Sequence, residues 1–344
     1  MGTFDIRGLR RPVIVAPMAG GPSTPELAAA GSAAGGLGFL AAGYLTADAL
    51  AERVTAARGL TTEPLGVNLF APQPSAGTPE QIQAYAAELA GEAQRYGVAL
   101  GDPRYDDDAW AAKLDAVFDL RPEVVSFTFG LPSGPEIDRL RGAGISTVGT
   151  VTTLDEARLA VSHGVDVLAV QGPAAGGHRG TFDPAAAPAS QPLETLLAEV
   201  VATVDVPVVA AGGLVSSDDV AGVLAAGAVA AQLGTAFLLA DEAGSSPVHR
   251  AALQSPEFTE TVVTRAFSGR YARGLRNRFI AEHDAQAPLG YPEIHYLTSP
   301  VRKASAAAGD PQATNVWAGT GWRQVRPGSV AEIMDRVTPA PANR

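Results

Sequence analysis

The run Gln171-Gly172-Pro173-Ala174-Ala175-Gly176-Gly177-His178-Arg179-Gly180 holds four glycines around one histidine and one arginine. Glycine lets a backbone approach a ligand closely and adopt conformations closed to other residues. Histidine is the side chain whose ordinary pKa lets it move a proton near neutrality. The run follows an apolar segment, Val165 to Val170, that reads as a buried strand. A glycine-rich loop carrying a histidine at the end of such a strand is where an α/β enzyme keeps its chemistry. Other strand ends carry companion signals: Ala16-Pro17-Met18-Ala19-Gly20-Gly21, Asn68, Ala211-Gly212-Gly213 and Gly234-Thr235. Asn68 sits in an apolar strand, where an amide without partners costs about 1–3 kcal/mol. Glycines that each open onto a helix form an anion site, because backbone N–H groups and the helix dipole favour negative charge.

Each signal has a plainer explanation. His178 can simply order its loop, Gly212-Gly213 can be a tight turn, and Met18 can be core filler. His163 ends a helix, where a cation is favourable without any function. His249, His283 and His295 lack metal-ligand spacing, so no metal site is expected. The arginines between Arg265 and Arg278 read first as a solvated helix face or subunit contact. The sharper reading gives them an anionic substrate or a nicotinamide phosphate.

The elements that must position these residues alternate. Strands are expected at residues 13–16, 37–41, 66–70, 124–129, 145–149, 166–170, 206–211 and 228–233. Helices fall between them, at Pro25 to Ala34 behind a Ser23 or Thr24 cap, at 46–58, and at 133–143. Thr153 caps a helix running to His163, and Ser216 or Ser217 caps another. Eight strands with intervening helices match a (β/α)8 barrel, with ligands at the carboxyl ends of the strands. A doubly wound sheet reads much the same way. Two segments break the rhythm. Residues 73–117 include a helical pattern from Pro79 to Tyr96 and the acidic turn Asp106-Asp107-Asp108. Residues 246–326 are mostly helical and polar. Together they predict a smaller, mainly helical substrate lobe over a barrel formed by 1–72 and 118–245. Residues 327–344 read as a peripheral tail.

Composition limits the functions. The 344 residues are 46% hydrophobic and 18% charged, enough for a large core and too few charges for disorder. A formal net charge of -11 without a basic run argues against nucleic acid. The absence of cysteine removes disulfides, thiolate nucleophiles and iron–sulfur clusters. The first residues lack the apolar core of a signal peptide, and no apolar run spans a bilayer. A cytoplasmic location is therefore expected.

APMAGG, GVNLF, VQGPAAGGHRG, VVAAGGL, AAQLGTAF and NVWAGTGW, spread from about residue 10 to 323, resemble the nitronate monooxygenases, formerly 2-nitropropane dioxygenases. The AGGHRG run is the most specific of these motifs. The resemblance implies a TIM barrel with non-covalent FMN. It places Pro17, Met18 and Ala19 along the flavin ring, and Asn68 and Gln171 at its polar edge. Gly177, Gly212, Gly213, Gly234 and Thr235 would hold the phosphate and ribityl chain, with Ala16, Gly176 and Gln232 completing the set. His178 becomes the base or the electrostatic partner of a nitro group. Lys303 reaches in from the second lobe. The implied reaction takes a nitronate or nitroalkane and dioxygen to a carbonyl compound and nitrite. Family members commonly carry Glu where this chain has Ala174, which bears on substrate preference. Two rival functions remain: an FMN-dependent NAD(P)H enoyl or quinone reductase, and a non-redox barrel binding a phosphorylated ligand. The expected partners are a small-molecule substrate and dioxygen, with no nucleic acid or membrane. Homodimerisation is left open.

Overall fold

The computed structural model describes residues 4–340. Eight parallel strands close into a barrel: β1 (Val13–Val15), β2 (Leu37–Ala41), β3 (Leu65–Phe70), β4 (Val124–Thr128), β5 (Ser146–Val151), β6 (Val167–Gln171), β8 (Val208–Ala211) and β9 (Ala230–Leu233). Pairing of Val13 with Ala231 and of Val15 with Leu233 joins the first strand to the last. The strands are buried on both faces, so they read as continuous apolar runs rather than alternating ones.

Alternation along these strands positions the site. Ile14, Val124, Val148, Val167, Val209 and Ala230 form an apolar core with Phe39. Side chains two residues further along a strand point the same way. That next position is occupied by Ser126, Thr150, Ala169 then Gln171, and Gln232. A dry base thus carries a polar layer at its carboxyl end. Gly66 is a glycine because a Cβ there would stand 2.4 Å from the Phe39 ring. The outer helices are capped as their sequences predict: Thr24, Thr153 and Ser216 accept from Leu27, Glu156 and Asp219 backbone N–H groups.

Helices at Pro79–Glu88, Ala90–Arg95, Arg278–His283 and Glu293–Ala307 lie outside the barrel ring. They contribute Ile82, Tyr85, Leu89, Phe279, Ile294 and Val301 to a separate apolar cluster around Phe267. The stretch expected as one helix from Pro79 to Tyr96 is divided at Leu89. This region also contains strands. A three-stranded antiparallel sheet joins β10 (Thr261–Thr264), β11 (Ala272–Leu275) and β7 (Gly177–His178). The loop after β6 therefore lends two residues to the second sheet, so His178 is held between the two parts.

Two sequence-drawn boundaries need correction. The break at 117/118 falls inside helix Trp110–Leu120, which packs Leu114 and Val117 against the barrel's outer core. The segment from 327 is not peripheral over its described part. Helix Val330–Val337 buries Val330, Ile333, Met334 and Val337 in the largest apolar cluster. Its apolar positions follow helical spacing, and Ser329 and Glu332 form a capping box. Residues 341–344 lie outside the described residues. No helix among the described residues is long and apolar enough to cross a membrane.

Candidate active site

A cavity of about 1020 Å³ opens at the carboxyl ends of the strands. Cofactor and small-molecule sites run to roughly 300–1,000 Å³, so a cofactor and a small substrate fit together. Every residue that the family resemblance placed at the cofactor or substrate lines it, whereas Ala174 and the 265–278 arginines do not. Ala16, Pro17, Met18 and Ala19 form one side, and Asn68, Gln171 and Gln232 belong to the barrel layer. Gly176, Gly177, Gly212, Gly213, Gly234 and Thr235 surround another part, and His178 and Lys303 stand on the lobe-facing wall.

The polar floor is braced from within. Asn68 Nδ2 lies within hydrogen-bond reach of the Ser126 carbonyl at 3.3 Å, Ser126 Oγ at 2.9 Å and Thr128 Oγ1 at 3.0 Å. The carbonyl can only accept, which fixes the amide orientation and leaves Oδ1 facing the cavity as an acceptor. Gln171 donates from Nε2 to the His178 carbonyl at 3.0 Å and accepts from the Gly180 N–H at 2.9 Å. It pins the ends of its own loop. Buried Arg179 ties the same loop down by donating to the Gly172 and Gln171 carbonyls.

The glycine side is a backbone surface. Gly212 and Gly213 have φ of 116° and 80°, in the region that disfavours side chains. A Cβ on Gly213 would stand 2.7 Å from the Ala174 methyl. Among the described residues, the N–H groups of Gly212, Gly213, Gly234 and Thr235 donate no hydrogen bond. The helices do not supply the anion site as the sequence suggests. Asp219 already accepts from the Val215 and Ser216 N–H groups, both at 2.9 Å, at the start of helix Ser217–Ala225. A short 3-10 turn, Thr235–Phe237, follows β9 in place of an α-helix. The open donors belong to the turn before helix Ser217–Ala225 and to the start of the 3-10 turn itself. Gly176 has a second reason to be glycine, since its Cβ would fall 2.5 Å from the Gly319 nitrogen. Ala174 touches this backbone end of the cavity, where its carbonyl accepts from Thr320 at 3.1 Å.

His178 occupies the opposite wall. Its Nε2 lies 2.9 Å from Ser268 Oγ, and Ser268 donates to the Arg270 carbonyl at 3.2 Å. With the hydroxyl proton so placed, Nε2–H donates to Ser268 and Nδ1 keeps the lone pair. Phe129, Tyr291 and Trp317 surround the ring at centroid distances of 5.8, 5.7 and 5.6 Å. Burial, then the charges of Arg270 and Arg302, lowers the His178 pKa to about 3, so the imidazole is neutral at pH 7. His295 is lowered to about 2, chiefly by burial, and stacks on Tyr44 at 4.1 Å. His249, also pushed down to about 4 by burial, lies 3.0 Å from the Trp317 carbonyl through Nε2.

Tyr44, His249, Ser268, His295, Arg302 and Trp317 line the cavity, and sequence reasoning assigned none of them to it. They are scattered from 44 to 317, and no strand-end motif marks them. The 265–278 arginines form no helix face. Arg270 donates to Gln73 Oε1 at 2.5 Å and to the Arg179 and Thr181 carbonyls, and lies 3.9 Å over the Phe129 ring. Arg273 donates to the Pro173 carbonyl at 3.0 Å. Arg278 pairs with Glu92 and Glu282, each at 2.6 Å. That guanidinium supplies the cation for the one grouping of metal-ligand type among the described residues, Glu92, Glu282 and His283.

The apolar strip at Pro17 to Ala19, the open acceptor on Asn68 and four unengaged N–H groups suit a flat, phosphorylated cofactor. The parallel barrel and its cavity at the strand ends define a TIM-barrel enzyme acting on a small molecule. Residues 5–340 match the family model described as nitronate monooxygenase. The chain belongs to that flavin-dependent family of oxidoreductases. A probable nitronate monooxygenase of Staphylococcus haemolyticus is 36% identical over 337 residues, covering 96% of this chain and 93% of the relative. The crystal structure of a nitroalkane oxidase from Streptomyces ansochromogenes aligns with TM-score 0.92 and 49% identity, covering 96% of this chain and 95% of that one. FabK from Thermotoga maritima has TM-score 0.74 and 24% identity, covering 96% and 93%, a likeness in fold.

Proposed function

We propose that this chain holds FMN and oxidises alkyl nitronates, and nitroalkanes after deprotonation, with dioxygen to a carbonyl compound and nitrite. The observation that carries this reading is the neutral imidazole of His178 in the same cavity as a backbone anion cradle. Pro17, Met18 and Ala19 would hold the ring, Asn68 Oδ1 would accept at its polar edge, and Gly212, Gly213, Gly234 and Thr235 would donate to the phosphate. When bound, the flavin supplies the redox step between nitronate and dioxygen.

The rest is the work of the chain. For a neutral nitroalkane, His178 Nδ1 takes the α-proton while Ser268 accepts from Nε2–H and fixes the ring. A low imidazole pKa keeps the base unprotonated, and the substrate's own developing charge raises it during transfer. For a nitronate supplied as the anion no base is required. The Ser268 hydroxyl then turns to donate to Nε2, and Nδ1–H donates to the nitro oxygen. Burial among Phe129, Tyr291 and Trp317 excludes water from both steps.

The reading is tested by incubating the yellow protein with ethyl nitronate in air, without nicotinamide. Oxygen uptake together with nitrite and carbonyl release in equal amounts supports it. Turnover that requires NADH or NADPH transfers the assignment to a reductase. A colourless protein that binds a phosphorylated ligand transfers it to a non-redox barrel.

A further inference from the structure

Helix Glu293–Ala307 presents His295, Ser299, Arg302, Lys303 and Ala306 to the cavity. Half-buried Arg302 differs from the other enclosed cations in facing the cavity. Lys113 has Asp108 at 2.6 Å, and Arg278 has two glutamates. Buried Arg179 and Arg270 are bonded only to neutral groups, but neither lines the cavity. Every hydrogen-bond partner of Arg302 is neutral: Thr298 Oγ1 at 3.0 Å, Asn315 Oδ1 at 3.2 Å and the His295 carbonyl at 2.7 Å. A further contact to His295 Nδ1 is long, at 3.4 Å. Among the described residues no carboxylate lies within ion-pair distance of it. A guanidinium carries five N–H donors, so a donor on Nη1 remains.

A half-buried charge without a counter-ion still carries a desolvation cost, which an anion bound beside it offsets. Here the open side of the charge is the cavity. The wall from Arg302 to His178 is continuous: His295 packs 6.4 Å from the Tyr291 ring, and Tyr291 packs 5.7 Å from His178.

We propose that Arg302 receives the negative charge of the substrate's nitro group and sets the preference for the nitronate anion over the neutral nitroalkane. The proposal rests on the nitro-compound reading above. Arg302 holds two elements of the wall, helix Glu293–Ala307 and the 315–317 segment, so the receptor is built by the lobe and kept rigid by neutral bonds. Its remaining Nη1–H can donate one charge-assisted hydrogen bond to an oxygen of the planar nitronate. The cofactor phosphate is the competing occupant, and it belongs by this account to the glycine side.

The test uses flavin-loaded protein with Arg302→Gln and Arg302→Lys. The quantity read is the ratio of kcat/KM for ethyl nitronate to that for nitroethane. Loss of one charge-assisted hydrogen bond predicts a fall of roughly 10- to 100-fold in Arg302→Gln, chiefly through KM, with partial recovery in Arg302→Lys. Nitrate is an inert planar monoanion, and its binding, read by quenching of Trp317 fluorescence, should weaken in parallel. An unchanged ratio overturns the proposal, as does flavin loss with the ratio intact. Should Arg302→Gln fail to fold, the wild-type decides: nitrate must compete with nitronate, and failure to compete overturns the proposal. If neither nitro compound is turned over, the functional reading fails by itself, and Arg302-dependent nitrate binding still tests the receptor.

Discussion

At one end of the cavity a ligand meets backbone, and at the other it meets side chains. Gly212, Gly213, Gly234 and Thr235 offer N–H groups on turns that leave rigid barrel strands. His178, Ser268, His295 and Arg302 offer imidazole, hydroxyl and guanidinium groups from loops and a helix outside the barrel. At Gly212 and Gly213 the backbone surface has neither the conformation nor the room for an added Cβ. A side-chain surface can be retuned one residue at a time. On the function proposed above, the barrel end holds the cofactor and the second part chooses the substrate. The short sheet β10–β11–β7 fastens the two ends together through Gly177 and His178.

Substitutions at the two ends should therefore fail differently. His178→Ala removes the base and should cost roughly 10²- to 10⁴-fold in turnover of neutral nitroethane. Flavin content should be retained, and the loss with preformed nitronate should be smaller. Oxygen uptake with the two substrates measures both. An equal loss on both would give His178 a role other than proton removal.

The side-chain end should also weaken the protein in acid. His178, His249 and His295 are neutral in the fold, with pKa values lowered to about 3, about 4 and about 2. In the unfolded chain histidine titrates near 6.5. Below that pH the unfolded state binds more protons than the folded one, so stability falls as pH falls from 6.5 toward 4. The limit is about 1.4 kcal/mol per pH unit for each histidine. Denaturant titrations at several pH values should give a slope approaching three protons. A flat profile over that range would show that these rings are already charged.

Gly213→Val strikes the backbone end. The left-handed conformation costs a β-branched residue roughly 1–2 kcal/mol, and the new Cβ meets Ala174 at 2.7 Å. Flavin-to-protein ratio should drop after gel filtration, while flavin added back in excess restores nitronate turnover. Ser329→Ala touches neither end. It removes the cap of helix Val330–Val337 and should lower stability by about 1 kcal/mol, with unchanged turnover. Thermal unfolding and a standard assay check it.

The backbone end was legible in the sequence because it is local. Strand, glycine pair and helix cap follow one another along the chain, and Asn68 and Gln171 stand out as polar residues within or at the end of apolar strands. The side-chain end was largely illegible. Only His178 carried a motif, and Lys303 came from resemblance alone. Arg302, one residue away, was passed over because burial and the lack of a counter-ion exist only in three dimensions. The 265–278 arginines were misread for the same reason, since their partners Gln73, Glu92, Pro173 and Thr181 are distant in sequence. The last helix was different. Its apolar spacing at 330, 333, 334 and 337 is visible in the sequence and is at odds with the expectation of a peripheral tail.

The central claim, that one cavity couples a flavin held by backbone to a nitro compound held by side chains, has a direct test. Oxygen-free flavin-loaded protein is mixed rapidly with ethyl nitronate, and separately with NADH and with NADPH, and the flavin absorbance is followed. The account predicts prompt bleaching by the nitronate and none of comparable rate by either nicotinamide. Bleaching by a nicotinamide alone would contradict it.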